Sequence, residues 1–187
     1  MLIRELMCAD VKSCQPDDTL EAAAKIMWDN DCGCVPVVDD ERRVIGIVTD
    51  RDICMAAFTQ GVRLSERRVI GAMARNVECI RSNESPAQAQ AAMQRRQVRR
   101  LPVVDDRGRL VGILSLADLA YAMESAVTFG ADGMTRTALA RTLSAVSRPR
   151  TSKRPARAAN EAATNGAAPD SGVVRSIDPL GAAAEAF

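Results

Sequence analysis

Histidine is absent from all 187 residues. That removes Ser-His-Asp and Cys-His nucleophile schemes, and with them metal sites built on imidazole. Aromatics are scarce, with one Trp, one Tyr and three Phe. So few rings do not make the stacking platforms that hold single-stranded nucleic acid. No run of about 18 apolar residues occurs, so no membrane-spanning helix is expected. Formal net charge is +1, which gives no global field toward nucleic acid or membrane. The start, Met1 to Leu6, contains an acidic residue and no long apolar stretch, unlike a secretory leader, and the expected location is the cytoplasm. In that compartment the cysteines (Cys8, Cys14, Cys32, Cys34, Cys54 and Cys79) are expected to be reduced thiols.

What is present is a duplication. Residues 7–56 align with 73–122 at a constant offset of 66, without a gap. Cys34 to Asp40 (CVPVVDD) lies over Arg100 to Asp106 (RLPVVDD), and Gly46 to Asp52 (GIVTDRD) over Gly112 to Asp118 (GILSLAD). Two copies are too few for a solenoid, where three or more units stack. They suggest two halves closing around a pseudo-two-fold axis, which creates paired clefts.

Each copy reads β-α-β-β-α. A short strand is expected at Val11–Cys14 and Val77–Ile80. A helix follows, capped by Asp18 or Thr19 in the first copy and by Ser85, with Pro86 at the first helical position, in the second. Leu20, Ala23 and Met27 recur at helical spacing, as do Ala89, Ala92 and Met93. Two β-rich runs around a polar turn then form a hairpin, and the second run enters a helix, Asp50 to Phe58 or Leu116 to Ser125. The expected fold is α+β, with a first repeat over 1–60, a second over 67–126 and an Ala-, Arg- and Pro-rich tail over 130–187. Most of that tail is expected to be disordered. A short amphipathic run near Arg136–Ala145 places Leu139 and Leu143 four apart. Seven basic and no acidic residues lie between Arg136 and Arg157. That stretch reads either as a solubilising tail or as a weak, non-specific contact to nucleic acid or another anionic partner.

The most chemically suggestive element is Gly-Ile-x-[Thr/Ser]-x-x-Asp. Spacing alone reads it as a capping box, with Thr49 or Ser115 as N-cap and Asp52 or Asp118 at the third helical position. Such a box can also aim a carboxylate into a cleft. Cys32-Gly33-Cys34 reads either as core packing or as a thiolate metal or redox site.

These motifs, in this order and duplicated without a gap, resemble a tandem pair of CBS domains, the Bateman module, over roughly residues 1–125. The chain is similar to small stand-alone bacterial members. The resemblance implies an adenosyl ligand (AMP, ADP, ATP or S-adenosylmethionine) and no cofactor in the catalytic sense. Asp52 and Asp118 would accept ribose hydroxyls, assisted by Thr49 and Ser115. The adenine would lie against Cys14, Val35 and Pro36 in one copy and Ile80, Leu101 and Pro102 in the other. Arg100, two residues before Pro102, would meet phosphate; Cys34 stands there in the first copy, which puts phosphate recognition by that copy in doubt unless the clefts share arginines. Arg95, Arg96, Arg99 and Arg100 also read as a solvated helix end complementing its dipole. Exposed Met55, Ala56, Phe58, Tyr121 and Ala122 would support a homodimer. No catalytic constellation is assembled. The function expected is regulatory ligand sensing, read by an unidentified protein partner. The rival is a stress-related or redox-responsive interaction protein that binds no nucleotide.

Overall fold

Helix starts follow the local signals in the sequence. The computed structural model describes residues 1–61, 63–125 and 135–148, all within one unit, Met1–Pro149. In α1 (Leu20–Asp29) the cap is Thr19, whose Oγ1 accepts from the Ala22 amide at 3.1 Å. Asp18 instead accepts from the Gln15 amide at 2.7 Å and shapes the preceding turn. Ser85 caps α3 (Pro86–Arg96), and the Gln88 side chain returns the bond to the Ser85 amide at 2.8 Å. Each helix buries its apolar stripe: Leu20, Ala23 and Met27 on α1, and Ala89, Ala92 and Met93 on α3.

The two hairpins are copies in register as well as in sequence. β1 (Cys34–Val38) pairs antiparallel with β2 (Val44–Thr49), and Val37 faces Gly46. β4 (Arg100–Val104) pairs antiparallel with β5 (Leu110–Ser115), and Val103 faces Gly112. Each carries an irregularity one residue later, before Val38 and Val104. β2 runs into α2 (Asp50–Gln60), and β5 into α4 (Leu116–Ser125). The hairpin tips meet each other through an Arg43–Arg109 bridge, and the Leu110 amide donates to the Arg42 carbonyl at 2.8 Å. The expected α+β architecture with two related halves is found.

The leading strands are shorter than expected. Where Val77–Ile80 was expected, β3 is Ile80–Arg81, parallel to β4. Where Val11–Cys14 was expected, only Cys14 bridges Val37. The Cys14 amide donates to Pro36 O at 3.1 Å, and the Val38 amide to Cys14 O at 3.0 Å. Two residues on, Pro16 has no N–H to continue a ladder.

The boundaries 1–60 and 67–126 divide the sequence but not the packing. The start of each copy docks on the other copy. The Ile3 amide donates to Glu84 O at 3.0 Å, Cys8 exchanges two bonds with Ile113, and Ile3 is fully buried in the second repeat's core with Leu101, Leu114 and Leu119. Reciprocally, the Val69 amide donates to Asp18 O at 2.8 Å, Ala74 exchanges two bonds with Ile47, and Val69 is buried in the first repeat's core with Leu20, Val35 and Val48. Each fully buried Leu or Val contributes about 1.5–3 kcal/mol, so either exchanged segment ties the halves together.

A further helix, α5 (Arg136–Ser147), follows the second repeat and packs on α3 and α4. It holds the Leu139–Leu143 run noted in the sequence. The expectation of disorder for the remainder of 130–187 falls, apart from residues 135 and 148, outside the described residues. Met55, Phe58 and Tyr121 are exposed, but Ala56 is buried and Ala122 half-buried. Ala56 faces the first repeat's core with Ile53, so it is not part of the exposed helical surface. Among the described residues no helix is long and apolar enough to cross a membrane.

Candidate ligand-binding cleft

Both Thr/Ser-x-x-Asp elements form the capping box that their spacing predicts. The Asp52 Oδ2 accepts from the Thr49 amide at 3.0 Å and from the Thr49 hydroxyl at 2.7 Å. The Asp118 Oδ2 accepts from the Ser115 amide at 2.7 Å, and Ser115 Oγ accepts from the Asp118 amide at 3.1 Å. The structural role therefore occupies one carboxylate oxygen. It holds the aspartate at the strand-to-helix junction and does not exclude a ligand at the other oxygen.

The two junctions differ in surroundings. Ser115 and Asp118 line a cleft of about 670 Å³ that draws on both repeats, well within the size range of small-molecule sites. Arg99 and Arg100 reach it from the start of β4, and Cys32 and Cys34 from the start of β1. Lys12 and Asp10 enter from the N-terminal segment, ion-paired at 2.7 Å. Leu139 and Leu143 of α5 form an apolar side. The Arg100 guanidinium reaches across to Gly33 of the first repeat. A β-carbon there would be in ordinary contact with Arg100 Nη2 at 3.6 Å but crowded against Asp50 Oδ2 at 3.2 Å.

The structure thus brings together Asp118, Ser115 and Arg100, with Cys34 of the first repeat beside them. It does not bring the expected adenine residues to this cleft. Cys14, Val35, Ile80 and Leu101 are buried in the two cores, and Pro36 and Pro102 are buried within β1 and β4. All five residues of β1 are buried, so the alternation that would turn some of them outward is absent. Thr49 and Asp52 are partly buried at the first repeat's own junction and do not line this cleft.

The asymmetry extends to charge. Glu78 occupies the position 66 residues after Lys12, and it is ion-paired with Arg96 at 2.8 Å and with Arg95. These arginines hold the Glu78 carboxyl below its ordinary range. Arg95 and Arg96 therefore serve Glu78, whereas Arg99 and Arg100 face the cleft. Sequence reasoning missed Lys12, Asp10 and α5 as cleft residues. Leu139 and Leu143 had a signal in their helical spacing, but nothing in the sequence said where the helix docks.

Cys14, Cys34 and Cys79 do not have the character of activated nucleophiles. Burial pushes Cys14 up to about 12 and Cys79 up to about 11. Burial also pushes Cys34 up to about 11, although the neighbouring Arg100 guanidinium pulls the other way. A thiol near 11 is about one part in a thousand thiolate at pH 8, and the thiolate is the reactive form. Iodoacetamide at pH 8 is therefore expected to modify the exposed Cys8 and Cys54 first, leaving Cys14, Cys34 and Cys79 largely unmodified until denaturant is added. Peptide mass spectrometry over a time course checks this, and early labelling of Cys34 contradicts it. Among the described residues no group of three Cys, Asp or Glu side chains converges to hold a metal.

Comparison with known proteins agrees with the duplicated architecture. The family model described as CBS domain matches residues 3–58 and 67–125. Hypoxic response protein 1 of Mycobacterium tuberculosis is 36% identical over 118 residues, covering 63% of this chain and 81% of that protein. Inosine-5'-monophosphate dehydrogenase of Methanocaldococcus jannaschii is 33% identical over 115 residues, 62% of this chain but only 22% of the dehydrogenase. Among solved structures, Hypoxic Response Protein I with two coordinated zinc ions superposes with a TM-score of 0.60 at 32% identity, covering 65% of this chain and 98% of that one. The CBS domain pair of protein MJ0100, in complex with 5'-methylthioadenosine and S-adenosyl-L-methionine, has a TM-score of 0.58 at 25% identity, covering 66% and 96%.

Proposed function

From the premise that this chain belongs to the CBS-domain family, we propose that it is a regulatory sensor of an adenosyl compound. The ligand binds in the 670 Å³ cleft of the second repeat. The observation that carries this reading is the convergence of Asp118, Ser115 and Arg100 on one cleft built from both repeats. An ionised carboxylate accepts two hydroxyl donors from a ribose diol. Its capping bonds hold it in place before the ligand arrives, which lowers the ordering cost of binding. Arg100 offers a planar fork suited to phosphate. A related module binds 5'-methylthioadenosine and S-adenosyl-L-methionine, which supports the ligand class.

Charge narrows the choice. Lys12, Arg99 and Arg100 line the cleft together with Asp10, Asp31 and Asp118, so its formal charges cancel. A balanced site favours a ligand of small net charge, such as AMP or the sulfonium S-adenosylmethionine, over the polyanion ATP. In a thermal-shift series with AMP, ADP, ATP and S-adenosylmethionine, AMP or S-adenosylmethionine is expected to stabilise most and ATP least. Stabilisation approaches about 2.7 kcal/mol at a hundred times the dissociation constant. No shift with any of the four contradicts the reading. It would favour the rival, an interaction protein without a nucleotide, to which the hypoxic response relative lends some support.

Occupancy shifts the relative stability of the arrangements that the two halves adopt, and a protein partner reads the difference. Exposed Met55 and Phe58 on α2 and Tyr121 on α4 supply an apolar surface for a homodimer.

A further inference from the structure

α5 is not required by the duplication. It follows the second repeat, and the corresponding residues 70–81 after α2 contain only a helical turn and β3. Yet it is anchored with care. Thr142 is fully buried; its hydroxyl donates to Ala138 O at 2.9 Å and accepts from Gln94 Nε2 at 2.8 Å. Gln97 Nε2 donates to Ala145 O at 3.3 Å. Gln94 and Gln97 belong to the end of α3, just ahead of Arg99 and Arg100, so the contacts that hold α5 and the arginines of the cleft share one short stretch of chain. Leu139 and Val146 pack against the second repeat's core. Leu139 and Leu143, one turn apart, line the cleft, and Leu143 remains 54% exposed.

An aliphatic side chain held half-exposed at the edge of a cleft gains by being covered. A flat apolar base is suited to cover it, because its face carries little polar surface that would lose water. The cleft therefore has a polar end at Asp118 and Arg100 and an apolar side at α5, the two chemistries that an adenosyl compound presents. We infer that α5 is an integral wall of the ligand site, with Leu139 and Leu143 packing on the base, so that occupancy of the cleft and docking of the helix reinforce each other. This rests on the binding reading proposed above. Coupling of this kind is reciprocal: whatever the ligand gains from the helix, the helix gains from the ligand. Among the described residues the first repeat has no such wall, which separates the two junctions further.

The test uses the full chain with AMP and S-adenosylmethionine as probes. Leu143→Ser removes apolar cover without adding charge and is expected to weaken binding about fivefold. The melting temperature without ligand should fall only slightly, because Leu143 is already half-exposed and serine costs a helix little. Leu143→Met, which restores apolar contact, should bind as the wild type does. Hydrogen exchange of the wild type with and without ligand should show added protection at residues 138–147. That measurement needs no variant, and it decides the matter if the two results diverge. Equal binding by wild type and Leu143→Ser, with exchange in α5 unchanged by ligand, overturns the inference and leaves the binding site standing. Absence of binding by the wild type to either probe overturns both.

Discussion

Asp118→Ala is expected to weaken AMP binding at least tenfold, while Asp52→Ala leaves the affinity within about twofold. The Asp118 carboxylate is held by its capping bonds beside Ser115 and in one cleft with Arg100, where it is suited to accept ribose hydroxyls, and each charge-assisted hydrogen bond contributes about 1.5–3 kcal/mol. Loss of even one such bond exceeds a factor of ten in affinity. Asp118 also closes the capping box on α4 through its 2.7 Å bond from the Ser115 amide, so the alanine variant loses about 1 kcal/mol of stability as well. Asp118→Asn separates the effects. Its side-chain oxygen still accepts from the Ser115 amide, but it has neither the charge nor the second acceptor. It is expected to melt close to the wild type and to bind as poorly as the alanine variant. Calorimetry with AMP on all four proteins checks this. Equal losses for Asp52→Ala and Asp118→Ala contradict the assignment of the ligand to the second repeat.

Gly112→Ala is expected to destabilise the fold by about 1–3 kcal/mol, and Gly46→Ala by clearly less. A β-carbon at Gly112 would lie 2.5 Å from Met7 Sδ and 2.9 Å from the Cys8 carbonyl oxygen. The thioether can rotate away, but the carbonyl cannot. Cys8 is fixed to Ile113 by bonds of 2.9 Å and 3.0 Å, and the backbone retreats only by breaking them. At Gly46 the same test meets Met73 Sδ at 2.6 Å and the Ala74 carbonyl at 3.2 Å. There the carbonyl has to give by only a few tenths of an ångström, and the flexible side chain makes the larger movement. Urea unfolding of the two variants measures the difference. A Gly112→Ala protein as stable as the wild type would mean that the exchanged N-terminal segment does not hold the halves together.

Much of this fold was legible because its signals are local. Ser85-Pro86, the Asp18-Thr19 pair and the Thr/Ser-x-x-Asp elements announce helix starts, and the matched Pro-Val-Val-Asp-Asp runs announce equivalent strands. The duplication itself implied two related halves. What remained hidden depends on contacts between distant residues. Nothing at Ile3 or Val69 says that each packs into the other repeat's core, since an apolar residue beside a polar turn fits either partner. The cleft was half legible. Asp118 and Ser115 stood out in the repeated motif, and the family resemblance gave them and Arg100 their roles, but Lys12 enters through the exchanged segment and Leu143 through an appended helix. The adenine residues Val35 and Leu101 were displaced from the expected site because their strands are buried on both faces, which the sequence pattern of a short apolar run does not distinguish from a half-exposed strand.

The central claim is that duplication produced two similar junctions of which one binds. Arg100 and Lys12 line the cleft with Asp118, while the residues paired with them by the duplication, Cys34 with Arg100 and Glu78 with Lys12, bring no matching positive charge. Titration of AMP into the full chain, followed by calorimetry, measures the number of sites directly. The account predicts one site per chain, abolished or strongly weakened by Asp118→Asn. Two equivalent sites per chain, or a single site that survives Asp118→Asn and disappears with Asp52→Asn, would contradict it.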